Sequence, residues 1–437
     1  MTLSPLSADA GLKTPVSLLP PQSAYIHIPF CRRRCFYCDF PIAVLGDRKR
    51  GENSGTIEQY IATLCREIAI TPATSLPLQT VFFGGGTPSL LSVRQLEQVL
   101  TVLDQRFGIA SGAEISMEMD PGTFDLAHLQ GYLALGVNRI SLGVQAFDDD
   151  LLKACGRTHT VAEVYQSAEW LLQTGVASWS LDLISGLPHQ TMALWQAGLE
   201  RAIALQPHHL SVYDLTVEPQ TVFAHRYEAG AAPLPTDEQT ADMYRLAQQR
   251  LTASGYQHYE ISNYAQPGHQ CRHNCTYWEN RPYYGFGMGA ASYVNGQRFG
   301  RPRKTREYSQ WVETLEQQEG LIQCSVTSPG EQFLDHLMVG LRLAEGVAST
   351  TLARLCDGPT WQRLLQVLRP HIDKGWVCLD PQGDSADSSE ISLGLSAHLR
   401  IRLSDPEGFL FSNQVLVDLF ETFSDLIESD EGVSPLQ

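Results

Sequence analysis

The chain has 437 residues, of which 43% are hydrophobic and 18% charged, so wholesale disorder is excluded and two folded domains are expected. A formal net charge of −17 argues against a general affinity for nucleic acid or anionic membranes, because both require clustered Lys and Arg. The sequence has neither a secretory signal nor an apolar run of the ~20 residues that a membrane helix requires. We therefore expect a cytoplasmic protein without an integral membrane segment.

After a loosely ordered tail predicted over residues 1–23, strand and helix patterns alternate from residue 24 to residue 255. The predicted strands are Ala24–Ile28, Gln79–Phe83, Glu114–Met119, Arg139–Val144, Ser180–Ile184 and Leu210–Leu215. The predicted helices are Ile57–Ile70, Val93–Phe107, Ala162–Gln173, Met192–Leu205 and Glu238–Ala253. Alternating strand–helix units indicate a parallel sheet, and six units are fewer than the eight of a closed barrel. The prediction is an α/β fold, a partial (β/α)6 TIM-like barrel.

Three cysteines follow the first predicted strand, where Cys31, Cys35 and Cys38 form a C-x3-C-x2-C pattern. Loops after barrel strands carry the chemistry of barrel enzymes, and iron–sulfur clusters take thiolate ligands. Three ligands leave one iron of a [4Fe–4S] cluster open, and S-adenosylmethionine (SAM) can chelate such an iron. A zinc site is the alternative, with Cys271 and Cys275 as the further ligands that zinc usually requires.

Residues 256–304 interrupt the periodicity and are rich in aromatic residues, Gly, Asn and His, so we predict a functional loop region rather than a scaffold element. It contains the run Cys271-Arg-His273-Asn274-Cys275-Thr-Tyr277-Trp278. A neutral imidazole is a common axial ligand of haem iron, and aromatic rings can stack on a porphyrin. His273 is the candidate haem ligand, although a thiolate from Cys271 or Cys275 could also bind iron.

The glycines of Gly285-Phe-Gly287-Met-Gly289-Ala290 imitate a dinucleotide-binding fingerprint. The preceding strand and the downstream acidic residue of a βαβ unit are both missing. We therefore predict no nicotinamide site here and expect a flexible loop near the cofactors.

Residues 305–437 are mostly helical in pattern, with two short strands near the end. The predicted helices are Tyr308–Gln318, Glu331–Leu343, Trp361–Leu368 and Gln414–Phe423, and the predicted strands are Gly375–Asp380 and His398–Leu403. An Asp- and Ser-rich stretch, Asp380–Ser389, is predicted to be a surface insertion between these strands. This order predicts a C-terminal helical, winged-helix-like domain.

These motifs together resemble the radical SAM superfamily, and Tyr25-Ile-His-Ile-Pro-Phe-Cys31 resembles its HemN/HemW branch. Further similar segments follow in order: Phe83-Gly-Gly-Gly-Thr-Pro88, Met117-Glu-Met-Asp-Pro-Gly122, Ser141-Leu-Gly-Val-Gln-Ala-Phe147, Gly156-Arg157 and Leu181-Asp-Leu-Ile-Ser-Gly-Leu-Pro188. Each lies at or just beyond the end of a predicted strand. The resemblance runs from about Tyr25 to the end of the chain and implies a radical SAM barrel followed by a HemN-type C-terminal domain.

The resemblance also implies roles for individual residues. HemN-type enzymes share the equivalent positions between two SAM molecules. The cluster, Tyr25, Gly85 and Glu118 would serve a first SAM, whereas Gly86, Thr87, Gln145, Arg157 and Asp182 would serve a second. Tyr37, inside the cysteine loop, is counted with the SAM-binding residues.

Three features distinguish a haem chaperone from an enzyme within this branch. HemN-type coproporphyrinogen dehydrogenases carry a further cysteine at the position of Phe40 and a longer N-terminal extension. The run from His273 to Trp278 resembles the H-N-x-x-Y-W haem-binding signature of the HemW group, which implies haem contacts from His273, Asn274, Tyr277 and Trp278. The expected function is therefore to bind haem and pass it to an acceptor apoprotein.

The alternative is an oxygen-independent coproporphyrinogen III oxidase, which would decarboxylate its substrate oxidatively to protoporphyrinogen IX. The shared SAM-binding residues keep this alternative open. If SAM is cleaved, an electron donor such as flavodoxin or ferredoxin is required.

Overall fold

A computed structural model of the protein describes residues 19–47, 50–381 and 399–427. Most of the predicted N-terminal tail, most of the predicted surface insertion and residue His398 of the last predicted strand lie outside these residues.

The described residues form sixteen strands and fifteen α-helices. The strands are β1 (Ser23–Ile28), β2 (Phe30–Cys31), β3 (Ala43–Val44), β4 (Leu78–Gly85), β5 (Ile109–Met119), β6 (Arg139–Gln145), β7 (Ser178–Ser185), β8 (His209–Asp214), β9 (Gln257–Glu260), β10 (Asn263–Ala265), β11 (Tyr284–Phe286), β12 (Ala291–Val294), β13 (Gln297–Gly300), β14 (Val347–Ala348), β15 (Val377–Pro381) and β16 (Leu399–Leu403). The helices are α1 (Gly55–Ile70), α2 (Val93–Phe107), α3 (Leu126–Ala134), α4 (Asp149–Ala154), α5 (Val161–Thr174), α6 (Met192–Ala204), α7 (Val222–Arg226), α8 (Asp237–Ala253), α9 (Arg272–Trp278), α10 (Thr305–Gln317), α11 (Pro329–Gly340), α12 (Ser349–Leu352), α13 (Gly358–Asp373), α14 (Glu407–Leu410) and α15 (Ser412–Thr422).

The main sheet has nine strands in the order β11-β1-β4-β5-β6-β7-β8-β10-β9. The seven from β11 to β8 are parallel, and β10 and β9 add to β8 antiparallel. All six predicted strands and the α/β class are confirmed. Because parallel strands end at the same edge of a sheet, the loops that follow them converge on one face.

The region after residue 255 is part of the scaffold, so the prediction of an irregular loop there is wrong. Strand β11 pairs in parallel with β1 and extends the sheet on one side, while β10 and β9 extend it on the other. These strands are only three or four residues long, and their aromatic and Gly-rich composition hides the period that reveals longer strands.

The starts of several helices are marked by capping residues in the local sequence. Helix α2 begins with a capping box in which Ser92 and Gln95 each bond the other's backbone N–H. Helix α5 has the same arrangement between Thr160 and Glu163. Such caps satisfy backbone donors that a helix end would otherwise leave unpaired, so these boundaries were predictable within a residue or two.

The C-terminal residues form a second hydrophobic core beneath a three-stranded antiparallel sheet in the order β14-β16-β15. Trp361 and Phe333 are fully buried in this core. Backbone hydrogen bonds join it to the main sheet, from Ile261 N–H to the Arg342 carbonyl at 2.9 Å and from Ala344 N–H to the Tyr259 carbonyl at 3.0 Å. The second core therefore continues the edge of the main sheet beside β9.

Among the residues that the structure describes, no helix is long and apolar enough to cross a membrane.

A buried ion pair fastens the outer helices to strand β11. Arg301 Nε donates to Glu67 Oε1 at 2.8 Å, and neither side chain is more than 2% exposed. The other carboxylate oxygen accepts from the Tyr308 hydroxyl at 2.6 Å and from the Gly287 backbone N–H at 2.9 Å. Both oxygens of the Glu67 carboxylate thus accept hydrogen bonds, which offsets the cost of burying its charge.

We expect Glu67→Ala to lower the free energy of unfolding by about 3–5 kcal/mol, because it leaves a buried guanidinium without its partner. Urea unfolding followed by tryptophan fluorescence measures this. The matched control is Glu58→Ala, which removes an exposed carboxylate paired with Arg94 at 3.1 Å and should cost less than about 1 kcal/mol. Equal losses in the two variants would contradict the structural role of the buried pair.

Candidate functional site

A cavity of about 420 Å³ opens at the carboxyl ends of the parallel strands, in the space enclosed by the cysteine loop. The predicted cluster and SAM residues that line it are Cys31, Cys35, Tyr37, Cys38, Gly85, Gly86, Thr87, Glu118, Gln145, Arg157 and Asp182. Tyr25 is the exception. Its side chain lines a smaller cavity inside the barrel, where its hydroxyl lies 3.0 Å from His27 Nδ1.

The three cysteine thiols face this cavity from a partly buried loop. The Thr87 hydroxyl lies 3.7 Å from Cys31 Sγ, and Arg157 Nη1 lies 3.5 Å from Cys35 Sγ. Burial, together with the negative charge of Asp120, raises the pKa of Cys31 to about 12, and burial also raises the pKa of Cys38. The thiols of Cys31 and Cys38 therefore hold their protons at neutral pH unless a metal replaces them, as metal binding to cysteine does.

The donor set fits an iron–sulfur cluster better than a single ion. Within the described ranges, no three His, Cys, Asp or Glu side chains are placed to hold one metal ion. A cubane cluster binds each cysteine at a different iron, so its ligands need not converge on one centre. The zinc alternative fails because Cys271, which precedes α9, and Cys275, which lies within it, are at the opposite end of the strands from Cys31.

The glycines after β4 hold the cysteine loop in place. Gly85 has a φ of +109°, and a Cβ there would lie 2.4 Å from the His27 ring. The Gly86 N–H donates to the Ile28 carbonyl at 2.9 Å, and the Thr87 N–H donates to the Phe30 carbonyl at 2.7 Å. Only glycine allows this approach, so the run positions the loop that carries the thiols.

Two acidic side chains lie at the base of the cavity. Glu118 accepts from the Gly85 N–H at 2.9 Å, and Asp182 accepts from the Ser141 hydroxyl at 2.9 Å. Burial and the neighbouring Asp182 raise the pKa of Glu118 to about 8, and burial raises the pKa of Asp182. These carboxyls are suited to accept from an ammonium or from ribose hydroxyls once a ligand brings compensating donors.

Arg157 and Gln145 supply donors on the opposite wall. Arg157 forms an ion pair with Asp120 and donates to the Gly143 carbonyl at 2.8 Å, and its buried Nε has no partner among the described residues. Gln145 has a φ of +68°, in the left-handed region that a residue with a Cβ rarely adopts. Such strain is characteristic of residues held in place for a ligand. Asp120, which the sequence reasoning left without a role, thus orients Arg157.

Helix α9, which carries the H-N-x-x-Y-W run, lies at the other end of the barrel. The backbone N–H groups of Arg272 and His273 donate at 3.0 and 2.9 Å to Glu114, which lies in β5 opposite Thr80, near the start of β4. The Thr276 hydroxyl lies 3.0 Å from the Ser23 hydroxyl at the start of β1. The run therefore covers the amino ends of the strands, at the end of the barrel opposite the cysteine loop.

Both ring nitrogens of His273 have hydroxyl partners in this conformation, and its role as a haem ligand stays a prediction. The residue is 1% exposed, its Nδ1 lies 2.8 Å from the Thr80 hydroxyl and its Nε2 lies 2.8 Å from the Tyr277 hydroxyl. Its ring also stacks on Phe82 with the centroids 5.2 Å apart. Burial lowers the pKa of His273 to about 3, so the ring is neutral, but neither nitrogen has a free lone pair directed at solvent.

The other residues of the run face two different spaces. Asn274 and Tyr277 line the interior cavity of about 210 Å³, which also contains Glu118 and Asp182. Trp278 instead faces outward. The neighbouring glycine-rich segment is not a flexible loop as predicted, because Tyr284–Phe286 is the buried strand β11 and Gly287 is bound to Glu67.

A cleft of about 550 Å³ separates α9 from the C-terminal residues. Trp278 and Cys275 line it from α9, and His336 and Arg400 line it from α11 and β16. Burial lowers the pKa of His336 to about 4, which keeps its imidazole neutral. Sequence reasoning missed His336 because one histidine within an apolar helical pattern gives no signal of its own.

Comparisons with known proteins agree with this geometry. The Radical SAM superfamily matches residues 25–199. The chain is 48% identical to the Heme chaperone HemW of Synechocystis sp. over 410 residues, covering 92% of this chain and 97% of that protein. It is 38% identical to the Heme chaperone HemW of Escherichia coli over 362 residues, covering 82% of this chain and 90% of that protein.

Among solved structures, the chain is similar to coproporphyrinogen III oxidase (HemN) from Escherichia coli, described as a radical SAM enzyme. The TM-score is 0.73 at 23% identity, and the match covers 91% of this chain and 90% of that one. This similarity shows the fold of both parts of the chain.

Glu118→Gln should make the stability of the metal-free protein less dependent on pH. With its pKa raised to about 8, the folded protein keeps a proton that the unfolded chain releases above about pH 4.3, so stability falls as the pH rises between these values. Urea unfolding at pH 5 and pH 8.5 should show a decrease smaller than in the wild type by roughly 4 kcal/mol, because about three pH units each contribute about 1.4 kcal/mol. Glu58→Gln, which alters an exposed carboxylate, is the control, and an unchanged pH slope in Glu118→Gln would contradict the assignment.

Proposed function

The chain belongs to the HemW family of the radical SAM superfamily, and on this basis we propose that it is a haem chaperone, which binds haem and passes it to an acceptor apoprotein. The observation that carries the proposal is the 48% identity to a haem chaperone over 92% of the chain. A match of that length includes most of the barrel and most of the C-terminal residues. The alternative, coproporphyrinogen oxidation, is supported by the shared SAM-binding residues and by similarity of fold.

Cys31, Cys35 and Cys38 are the proposed ligands of a [4Fe–4S] cluster. When bound, a cluster with one open iron supplies a site at which SAM can be chelated and an electron of low potential. The thiols are held ready by the hydrogen bonds of Gly86 and Thr87 to the loop backbone. The guanidinium of Arg157, close to Cys35, offsets the negative charge that deprotonated thiols bring into the cavity.

The SAM-binding residues would hold the ligand by charge and hydrogen bonding. Glu118 and Asp182 present carboxyl oxygens, and Gln145 and Arg157 present donors for a carboxylate. Gly85 and Gly86 keep the backbone within reach of the same space. Tyr37 lines the cavity, whereas Tyr25 would act from below through the barrel interior.

The proposed partners are haem, an acceptor apoprotein and, if SAM is cleaved, an electron donor such as flavodoxin or ferredoxin. The cytoplasm is the proposed compartment, and the free state of all ten cysteines supports it. Phe40, at the rim of the cofactor cavity, is 57% exposed.

Cys35→Ala should abolish the visible absorption of the reconstituted cluster, because the remaining two thiols of the loop cannot hold a cubane. Anaerobic reconstitution with iron and sulfide followed by absorption spectroscopy and iron analysis measures this. Cys356→Ala, at a half-buried thiol in the C-terminal part, is the matched control and should retain the cluster. A full cluster in Cys35→Ala would refute the proposed ligand set.

The reconstituted protein should bind haem and should not convert coproporphyrinogen III. Parallel anaerobic assays with SAM and a reductant measure haem binding by the Soret band and product formation by chromatography. Transfer is tested by adding an apo-haemoprotein and following the decrease of the Soret band of the donor protein. Formation of protoporphyrinogen IX at catalytic rates would replace the chaperone proposal with the oxidase.

A further inference from the structure

The cleft between α9 and the C-terminal residues has the dimensions of a cofactor site. Its volume is about 550 Å³, and cofactor sites typically measure about 300–1,000 Å³. Leu343 and Val347 line it together with Trp278. Apolar and polar groups line the cleft in similar measure, which suits a ligand with an apolar body and polar substituents.

His336 is the polar side chain that distinguishes this cleft. It lies on α11, is 9% exposed and lines the cleft. A neutral imidazole with a free nitrogen is a common axial ligand of haem iron.

Helix α9 forms the facing wall. Trp278 lies over the cleft with the Arg342 guanidinium 5.8 Å from its ring centre, and its buried indole N–H has no partner in the described part of the chain. Cys275, one turn earlier, also lines the cleft. An aromatic face and an unpaired donor are suited to stack on a porphyrin ring and to bond one of its polar groups.

A cation stands at the mouth of the cleft. Arg400 is 36% exposed at its side chain and lies 3.5 Å from Glu345, an exposed and weakly held partner. Its Nη1 also lies 3.3 Å from the carbonyls of Glu345 and Gly346. A guanidinium at the surface end of an apolar cleft can exchange such a partner for the carboxylates of haem propionates.

From these contacts we infer that haem binds in the cleft between α9 and the C-terminal residues, with His336 as the axial ligand, Trp278 against the porphyrin and Arg400 at the propionates. This inference rests on the proposed haem-binding function and assigns its site. The H-N-x-x-Y-W run then contributes a wall, while His273 anchors α9 to the barrel through Thr80 and Tyr277.

The test is a titration of the full-length protein with ferric haem, followed by the Soret band and by resonance Raman spectroscopy of the iron–ligand state. Loss of a residue that only supports a metal ligand typically lowers metal affinity about 10–100-fold. His336→Ala removes the proposed ligand itself, so it should weaken haem binding by at least about tenfold. Added free imidazole should restore the wild-type spectrum in this variant, because it can occupy the space that the side chain leaves. Retention of wild-type affinity and spectrum in His336→Ala would overturn the inference.

Three further variants separate the possible ligands. His225→Ala, at an exposed histidine on α7 near the cysteine loop, is the matched control and should behave as the wild type. Cys275→Ser should keep an imidazole-type spectrum. If the wild-type protein shows a thiolate-type spectrum and Cys275→Ser abolishes it, the assignment of His336 is overturned. His273→Ala, checked for folding by circular dichroism, should also keep the imidazole ligand. Failure of the wild-type protein to bind haem would instead refute the proposed function itself.

Discussion

The site depends on the close packing of the glycine-rich end of β4 against the backbone that leads into the cysteine loop. Gly86 and Thr87 donate to the Ile28 and Phe30 carbonyls, and these two hydrogen bonds set the height of the loop above the sheet. A Cβ at Gly85 would overlap the His27 ring, so a residue other than glycine does not fit at the end of β4. The three thiols, their neighbour Arg157 and the cavity they share follow from this contact.

The barrel interior joins two ends with different tasks. Glu118 and Asp182 line both the cofactor cavity and the smaller interior cavity, which reaches down to His273 on α9. Helix α9 is held at the amino ends of the strands by Glu114, which accepts from its first backbone donors. The polar interior of the barrel therefore connects the cofactor cavity with α9, the helix that forms one wall of the cleft.

Much of the fold and of the cofactor cavity could be predicted because the signals lie within short segments of the sequence. The strands from Ala24 to Leu215 are apolar runs of about the length expected, and the helices between them announce their starts with side chains that cap the backbone. The cavity-lining residues could be predicted for the same reason, since motifs at the ends of successive parallel strands meet at one edge of a sheet. Strand β11 could not be predicted from its three residues, because its stability comes from pairing with β1 and from the buried Glu67.

By itself, the sequence determined the class of fold, the three thiols and most of the residues around them, since each depends on spacing within one segment or on the shared edge of parallel strands. Only the tertiary structure decided the surroundings of His273 and His336. Both are single histidines, and whether a ring nitrogen is free depends on neighbours that lie far away in the chain, such as Thr80 for His273. Residue type states what a side chain is able to bind, whereas packing from distant segments decides which of its atoms remain available.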